Sequence, residues 1–271
     1  ATLKWLDLDE EGRIRSDMAD EVITERTRVV AVTHVANVTG AITDLGPIVR
    51  RAHAVGALAV LDACQSVPHL KVDVHALDVD FAVWSAHKMY GPTGVGFLYG
   101  RRELLEALPP ANFGGSMVEL AWMDRPAQYM APPAKFEAGT QPVAQVVAAG
   151  AAAEWMMAIG MDAIAAHEHE VAAELLKLGD VDGVRILGPR ENRDRIGTVA
   201  FDVDGVHPHD VGQFIDAQGI AIRVGHHCAQ PVHRHFGVYA SNRASSGVYN
   251  SVADAQALVE AVSKVRAFFR V

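Results

Sequence analysis

Short apolar runs alternate with amphipathic stretches along the first half of the chain, and this pattern predicts alternating strands and helices. The predicted strands cover residues 28–33, 58–62, 81–85 and 95–99, and the predicted helices cover 45–54 and 101–107. Such alternation is typical of a mostly parallel sheet with helices on both faces. Ligands of these sheets bind at the carboxyl ends of the strands. Polar residues that directly follow a predicted strand are therefore the first candidates for a functional site.

The pattern changes in the second half of the chain. A long helix is predicted over 141–159, Gly160 ends it, and Asp162 is expected to cap the helix that follows. Further strands are predicted over 184–187, 198–201 and 220–224, and helices over 208–218 and 252–269. The segment 112–133 contains Gly and Pro and is predicted to be a packed loop. We therefore predict an α/β chain of two domains, residues 1–157 and a smaller unit over 158–271.

Composition narrows the function classes. With 271 residues, 50% of them hydrophobic, the chain can bury a substantial core. A formal net charge of −9, without a cluster of Lys and Arg, argues against nucleic acid as a partner. Cys64 and Cys228 make no disulfide framework, so a reducing cytoplasm is the expected location. The alanine-rich stretch 143–166 is interrupted by polar residues, so no membrane span is expected.

Lys88 follows the predicted strand 81–85 and precedes a turn that contains Gly91, Pro92 and Gly94. For an isolated lysine, a surface position with a buried aliphatic stem is the ordinary interpretation. At the end of a buried strand, however, loss of solvent lowers the pKa of a lysine. A neutral amine is what a Schiff base with an aldehyde cofactor requires. We therefore expect Lys88 to be desolvated and chemically active.

Asp62 ends the predicted strand 58–62, and Gln65 lies three residues further on. A carboxylate at this position can pair with the ring nitrogen of pyridoxal phosphate and keep the ring protonated, so that it acts as an electron sink. Gln65 is then expected to contact the ring hydroxyl. For an Asp alone, a helix N-cap would be the better interpretation. Together with Lys88, the three residues favour a pyridoxal phosphate site.

Cys228 lies in a histidine-rich loop. The histidines are His226, His227, His233 and His235. Zinc prefers such ligands, but a structural site needs four of them, and this loop offers only one sulfur. Adjacent His226 and His227 point in different directions on an extended chain. The interpretation as a nucleophile fits better, because a thiol beside two imidazoles ionises more readily and the thiolate is the reactive form. Cys64 is expected to be a small buried residue.

Two arginines lie near that loop. Arg223 precedes it and Arg243 follows it. A guanidinium presents a planar fork that fits a carboxylate with two hydrogen bonds, as recognition of an amino acid requires. A solvated surface position would be the ordinary interpretation of either arginine alone. Both together suggest a substrate that carries a carboxylate.

Several stretches together resemble the class V aminotransferase family and, within it, the SufS-type cysteine desulfurases. They are Thr33-His-Val-Ala-Asn-Val-Thr-Gly40, Leu61-Asp-Ala-Cys-Gln-Ser66, Ser85-Ala-His-Lys88, Gly91-Pro-Thr-Gly94, Phe136-Glu-Ala-Gly-Thr140, Arg223-Val-Gly-His-His-Cys-Ala-Gln-Pro231 and Arg243-Ala-Ser245. The resemblance spans most of the chain and implies the fold type I of pyridoxal phosphate enzymes. Residues 1–157 would be the C-terminal portion of the large cofactor-binding domain, and 158–271 the small domain with the cysteine. The family's chain begins well before Ala1, so its N-terminal part is expected to be missing from this sequence.

The resemblance also implies roles for particular residues. Lys88 would bind the cofactor, and Cys228 would take the sulfur of L-cysteine as a persulfide. Arg243, with Arg223 and Asn37, would bind the substrate. The residues expected to hold pyridoxal phosphate are Asn37, Asp62, Gln65, Ser85, His87, Lys88 and Thr140. His87 is expected either to act on the substrate thiol or to bind the cofactor phosphate. Thr140 is expected to reach that phosphate across a dimer interface, which implies an obligate homodimer.

The implied function is sulfur supply for iron–sulfur cluster assembly, with a SufE- or SufU-like acceptor. His209, in Val206-His-Pro-His-Asp210, matches a histidine that replaces a cysteine on the zinc of a SufU partner. The alternative for His209 is an exposed residue in an ordinary helix start. Two other functions stay open for the chain: a selenocysteine lyase or other class V enzyme, and a non-catalytic zinc-binding or interaction module.

Overall fold

Two β-sheets with separate apolar cores organise the chain, and the computed structural model describes residues Ala1–Val271. The first sheet contains β1 (Val29–Thr33), β2 (Leu58–Asp62), β3 (Phe81–Ser85) and β4 (Gly96–Gly100), in that order. The pairs β1–β2 and β2–β3 are parallel, whereas β4 runs antiparallel to β3. Its helices are α1 (Ala19–Val22), α2 (Leu45–Ala54) and α3 (Arg102–Ala107).

Helix α2 illustrates how the sequence fixes the first core. It begins where the Asp44 carboxylate accepts a hydrogen bond from the Gly46 amide at 3.2 Å, which satisfies one free N–H of the first turn. Leu45, Ile48 and Ala52 recur at helical spacing and are buried together with residues of β1 and β2. This packing holds the carboxyl ends of those strands at one edge of the sheet.

The region between the two sheets differs from prediction in two places. The segment 112–133 contains a hairpin of β5 (Val118–Leu120) and β6 (Gln128–Tyr129), so its assignment as a loop throughout was wrong. Helices α4 (Val143–Ile159) and α5 (Met161–Leu175) follow. Gly160, with φ +93°, occupies the N-cap position of α5, so Asp162 lies in the first turn and does not cap the helix. No single helix is long and apolar enough to cross a bilayer. The two segments Val143–Ile159 and Met161–Asp180, bent by 77° relative to each other, would together be long and apolar enough.

The second sheet is antiparallel throughout. Its strands are β7 (Val184–Ile186), β8 (Thr198–Val203), β9 (Arg223–Gly225) and β10 (Ser241–Ser245), in the order β7-β8-β10-β9. Its helices are α6 (Pro208–Asp216), α7 (Gln230–His235), α8 (Val252–Ser263) and α9 (Val265–Phe269). The core packs α5, α6 and α8 on one face of this sheet, around the buried Phe201. Ser251 and Asp254 form a reciprocal capping box at the start of α8.

The predicted α/β class is confirmed, with a mostly parallel first sheet and a smaller antiparallel second sheet. The closing helix is two helices, because Lys264 separates α8 from α9. Strand β9 is shorter than predicted and lies further along the chain. Strand β10 was not predicted, because its sequence Ser-Asn-Arg-Ala-Ser has no apolar run. The domain boundary at 157/158 falls inside α4 and stays a prediction.

Asp80, just before β3, ties three segments of the first sheet together. Its carboxylate accepts hydrogen bonds from the Ala59 amide at 2.7 Å and from His53 Nε2 at 3.0 Å, and forms an ion pair with Arg101 Nε at 3.0 Å. The Asp80 side chain is 8% exposed, whereas that of Asp78, which contacts the same Arg101 and His53, is 64% exposed.

We expect Asp80→Asn to lower the free energy of unfolding by about 1–3 kcal/mol, because an amide cannot accept all these bonds and leaves buried donors unpaired. The exposed control Asp78→Asn should leave the free energy of unfolding nearly unchanged, because ion pairs of exposed groups contribute little. Asn also tolerates the left-handed backbone of residue 78, φ +57°. Urea denaturation measures both variants, and equal losses would contradict the buried role of Asp80.

Candidate active site

Residues predicted for a cofactor gather at the carboxyl ends of β2 and β3. Parallel pairing sets Thr33 beside Asp62 and Asp62 beside Val83, so β1 and β2 end level and β3 extends two residues further. The Asp62 carboxylate accepts a hydrogen bond from the Cys64 amide at 2.9 Å, and the Cys64 thiol lies 3.9 Å from the Ser85 hydroxyl. We call Asp62, Cys64, Gln65, Ser85 and Lys88 the strand-end group.

The pKa of the Cys64 thiol is influenced by other side chains of this group. Burial raises the pKa of the Cys64 thiol, the carboxylate of Asp62 raises it further, and the charge of Lys88 acts against both. One thiol therefore lies within electrostatic range of a carboxylate and an amine on neighbouring strand ends. The interpretation of Cys64 as a buried structural residue was incomplete, since its side chain is partly exposed beside the predicted cofactor residues.

The expectation of a desolvated Lys88 was wrong for this structure. Asp62, His87 and Lys88 are all exposed, whereas Gln65 and Ser85 are partly buried. Lys88 ends a short 3-10 turn, Ala86–Lys88, in which only Ala86 is buried. The strands that carry these residues are buried, but their ends open onto solvent, so burial of a strand does not extend to the side chains that follow it.

Tyr90 connects this turn to the second sheet, which the sequence analysis did not foresee. Its backbone is left-handed, with φ +63°, and its hydroxyl accepts a hydrogen bond from the Val248 amide at 3.0 Å. Val248 follows β10, the strand of Arg243. The ring also lies edge-on to Trp155 and Tyr249, with ring centroids 5.2 and 6.2 Å away. The turn of Lys88 and the strand of Arg243 are therefore held to each other.

The second set of residues forms the cysteine loop, residues 225–230, between β9 and α7. Cys228 is exposed, and Arg223 Nη2 donates a hydrogen bond to its sulfur at 3.5 Å. Both His227 and Cys228 have a left-handed backbone, with φ +51° and +62°. Residues other than Gly, Asn and Asp seldom adopt this conformation, and they retain it where surrounding contacts hold it in place.

Asn37 joins the cysteine loop to the first sheet. Its side-chain amide donates a hydrogen bond to the His227 carbonyl at 2.6 Å, and its main-chain carbonyl accepts one from Arg243 Nη1 at 3.0 Å. Arg243 and Arg223 are paired residues of β10 and β9. Burial lowers the pKa of Arg243, and the neighbouring charge of Arg223 lowers it further. Two guanidinium groups side by side favour an anion, such as a substrate carboxylate, between them.

The charge around Cys228 differs from the sequence-based expectation. Burial lowers the pKa of His227 to about 3, and the neighbouring charges of Arg243 and Arg223 contribute. His227 is therefore neutral at pH 7 and supplies no positive charge to the thiol. The cation in contact with the sulfur is Arg223, so His227 does not take part in the expected activation by two imidazoles, and the share of His226 stays a prediction.

Two buried histidines, one in the loop and one in α7, bond to a buried serine. His227 Nε2 and His233 Nε2 each lie 3.0 Å from the Ser241 hydroxyl, and His233 Nδ1 lies 3.0 Å from the Ala229 carbonyl. Sequence reasoning missed Ser241, because a lone serine carries no signal of such a contact. The structure brings no three His, Cys, Asp or Glu side chains together in a geometry that holds a metal ion.

The remaining predicted residues lie apart from these two sets. Thr140 is exposed in the segment before α4, where its expected contact with a second copy stays a prediction. His209 is exposed in the first turn of α6, and its ring stacks on that of His207 with centroids 5.5 Å apart. His207 caps the helix by accepting from the His209 amide at 3.3 Å.

The strand-end group suits pyridoxal phosphate by its donor set. Asp62 offers a carboxylate for a pyridine nitrogen, Lys88 an amine for an aldehyde, and Gln65 and Ser85 offer an amide and a hydroxyl for the ring oxygen and the phosphate. The carboxylate and the amine are both open to solvent in the structure. Neither is neutralised by a partner inside the chain, so both stay available to a ligand.

Curated relatives are cysteine desulfurases by description. A probable cysteine desulfurase 2 of Mycobacterium leprae is 51% identical over 270 residues, which are 99% of this chain and 64% of that protein. A probable cysteine desulfurase of Streptomyces coelicolor is 48% identical over 270 residues, again 99% of this chain and 64% of that protein. The chain thus spans about 64% of the length of these relatives.

Solved structures share the fold. The apo structure of a cysteine desulfurase from Thermococcus onnurineus matches with a TM-score of 0.92 and 34% identity, over 96% of this chain and 65% of that one. The cysteine desulfurase CsdA from Escherichia coli matches with a TM-score of 0.89 and 37% identity, over 97% and 65% of the two chains. The family model described as Aminotransferase class-V matches residues 1–258. With nearly its whole length matched, the chain belongs to the class V aminotransferase family.

Proposed function

We propose that the protein is a pyridoxal phosphate-dependent cysteine desulfurase, which converts L-cysteine to L-alanine and leaves a persulfide on Cys228. The observation that carries this proposal is the Cys228 thiol, exposed 3.5 Å from the Arg223 guanidinium in a loop that Asn37 links to the first sheet. The bonds of Asn37 and of Tyr90 support this proposal, because they join the elements that carry the sulfur and the two arginines to those of the strand-end group. The descriptions of the relatives point to the same reaction.

Each step of the reaction falls to a residue of this chain. Arg243, with Arg223, binds the carboxylate of L-cysteine. When bound, the cofactor supplies an electron sink that stabilises negative charge at the substrate α-carbon. Lys88 removes the proton from that carbon and later returns one. His87 either acts on the substrate thiol or contacts the cofactor phosphate.

Sulfur transfer is the task of Cys228. Its thiolate attacks the substrate sulfur, a sulfur–sulfur bond forms, and the carbon–sulfur bond breaks. The electron pair of the broken bond stays on the carbon, which takes up a proton and becomes the methyl group of alanine. The products are alanine and one persulfide, so no external oxidant is needed. Arg223 stabilises the thiolate before the attack. Both cysteines are unpaired, and this chemistry suits a reducing cytoplasm.

A homodimer is the second part of the proposal. Thr140 lies three residues before the first residue of α4, an apolar helix in which only Ala149 and Met156 are buried. Val143, Val147 and Met157 of this helix are 63%, 69% and 76% exposed. Exposed apolar surface of this kind favours association. A second copy on this face would bring Thr140 near the cofactor phosphate of its partner.

Lys88→Ala should abolish covalent attachment of the cofactor. The purified chain is incubated with pyridoxal phosphate, and the absorption of lysine-bound cofactor is recorded before and after borohydride reduction. Mass spectrometry of the reduced protein should locate the cofactor on the peptide that contains residue 88. Lys264→Ala is the matched control, since that lysine pairs with Glu260 on the surface of α8. Retention of the band in Lys88→Ala would exclude Lys88 as the attachment site.

Cys228→Ser should keep the absorption of lysine-bound cofactor and lose persulfide formation. A serine hydroxyl is far less nucleophilic towards sulfur than a thiolate. After addition of L-cysteine, peptide mass spectrometry should find the extra sulfur on the peptide of Cys228 and none on that of Cys64. Undiminished sulfide and alanine release by Cys228→Ser would show that the nucleophile lies elsewhere.

A thiol-bearing acceptor that feeds iron–sulfur cluster assembly completes the proposal. Cys228 lies between the end of β9 and the start of α7, so its tether is short and cannot carry sulfur to a distant scaffold. An acceptor must bring its own cysteine to the loop. The exposed His209 suits a SufU-like partner, because imidazole replaces thiolate readily in a tetrahedral zinc site.

His209→Ala should leave turnover of the chain alone intact and remove stimulation by a zinc-loaded SufU-like partner. The rate of alanine release is measured with increasing partner concentration. Gln213→Ala, an exposed change on the same helix, is the control and should be stimulated like the parent. Full stimulation of His209→Ala would contradict a role for this histidine on the partner's zinc.

A further inference from the structure

A chain of hydrogen bonds below the cysteine loop ends at an atom without a partner. It runs from the Ala229 carbonyl through His233 and the Ser241 hydroxyl to His227, with each link 3.0 Å long. His227 and His233 are each 1% exposed, and Ser241 is 0% exposed. His227 Nδ1 is buried and has no hydrogen-bond partner in the chain. None of these three residues has a role in the proposed reaction.

The direction of the bonds follows from the first acceptor. A carbonyl oxygen can only accept, so His233 Nδ1 carries a proton and donates it to Ala229. In the single-proton form of this ring, Nε2 is the acceptor, and the Ser241 hydroxyl donates its proton to it. Because the only proton of the Ser241 hydroxyl is donated to His233, the Ser241 oxygen accepts a hydrogen bond from His227 Nε2. His227 is thereby fixed as the tautomer with the proton on Nε2 and a bare lone pair on Nδ1.

The same residue holds strained backbone. His227 and Cys228 are consecutive non-glycine residues with φ +51° and +62°. Such conformations persist only where the surroundings over-determine them. His227 is held at two points, by its side chain on Ser241 and by its carbonyl on the Asn37 amide at 2.6 Å. If either hydrogen bond is lost, His227 and Cys228 can return to ordinary backbone angles. That change would move the Cys228 thiol away from Arg223.

We propose that Ser241 and His233 are positioning residues for Cys228: they fix the tautomer of His227 and keep the left-handed loop that presents the thiol to Arg223. This inference rests on the proposed function for its biological meaning, but its test uses the free thiol and needs no turnover. Ser241 acts two steps away from the sulfur, through His227 and the backbone of the loop.

The test compares Ser241→Ala with Ser246→Ala. Both serines are buried: Ser241, the first residue of β10, is 0% exposed, and Ser246, directly after β10, is 7% exposed. Ser246 donates to the Gly197 carbonyl at 3.1 Å and has no link to the cysteine loop, so it is a matched control for the loss of one buried hydroxyl. The rate of Cys228 alkylation by iodoacetamide at pH 7 is measured by peptide mass spectrometry. The ¹⁵N shifts of the His227 ring report its tautomer.

In Ser241→Ala the alkylation rate of Cys228 should fall about five- to tenfold, because the thiol loses its contact with Arg223 for most of the time. The parent should show a proton on Nε2 of His227 alone, and the variant a mixture of tautomers. Ser246→Ala should match the parent in both measurements. If Ser241→Ala does not fold, as judged by thermal unfolding, His233→Asn removes the next link of the same chain.

An unchanged or faster alkylation rate in a folded Ser241→Ala would overturn the proposal, as would a proton on His227 Nδ1 in the parent. Failure of the proposed function has a different signature. In that case the parent would form no persulfide from L-cysteine, while alkylation and ring shifts would still decide the role of Ser241.

Discussion

Asn37 makes the contact on which the candidate site depends. Its side-chain amide donates a hydrogen bond to the His227 carbonyl at 2.6 Å, and its main-chain carbonyl accepts one from Arg243 at 3.0 Å. The strand-end group belongs to the first sheet, whereas the thiol and both arginines belong to the second. The two sheets have separate main cores and are joined by further contacts, among them the Ala41–Arg195 bridge and the buried cluster of Val38, Leu187 and Ala200. Within the site, the bonds of Asn37 and the Tyr90–Val248 bond beside Lys88 set the second sheet against the strand-end group.

Electrostatics in the cysteine loop come from arginine. Burial and neighbouring cations keep His227 neutral, with a pKa of about 3. The rings of His227 and His233 serve as hydrogen-bond partners, while Arg223 supplies the charge next to sulfur. Separating these tasks has a physical advantage. An arginine stays protonated throughout the physiological pH range, so the charge beside the thiol does not vary with pH as that of a histidine would.

Strands with continuous apolar runs were found correctly because burial on both faces imposes a recognisable composition. Strand β10 has a different composition, Ser-Asn-Arg-Ala-Ser, and was missed. Its residues alternate between the core of the second sheet, where Ala244 is buried, and the site, where Arg243 bonds to Asn37. A strand that serves a functional site on one face need not show a hydrophobic pattern. The antiparallel direction of β4 likewise depends on a tight turn after Lys88 that lengths alone do not reveal.

The sequence by itself determined the α/β class, the family and the residue types that carry the chemistry, because strand composition and local motifs are encoded along the chain. Tertiary structure decided what surrounds each of those residues. It left Lys88 and Asp62 exposed, made His227 neutral, and brought Ser241 under the cysteine loop. Protonation and backbone strain depend on burial and on partners such as Asn37 and His227, which lie 190 positions apart. No local pattern of residues carries that information, since only folding brings such partners within hydrogen-bonding distance.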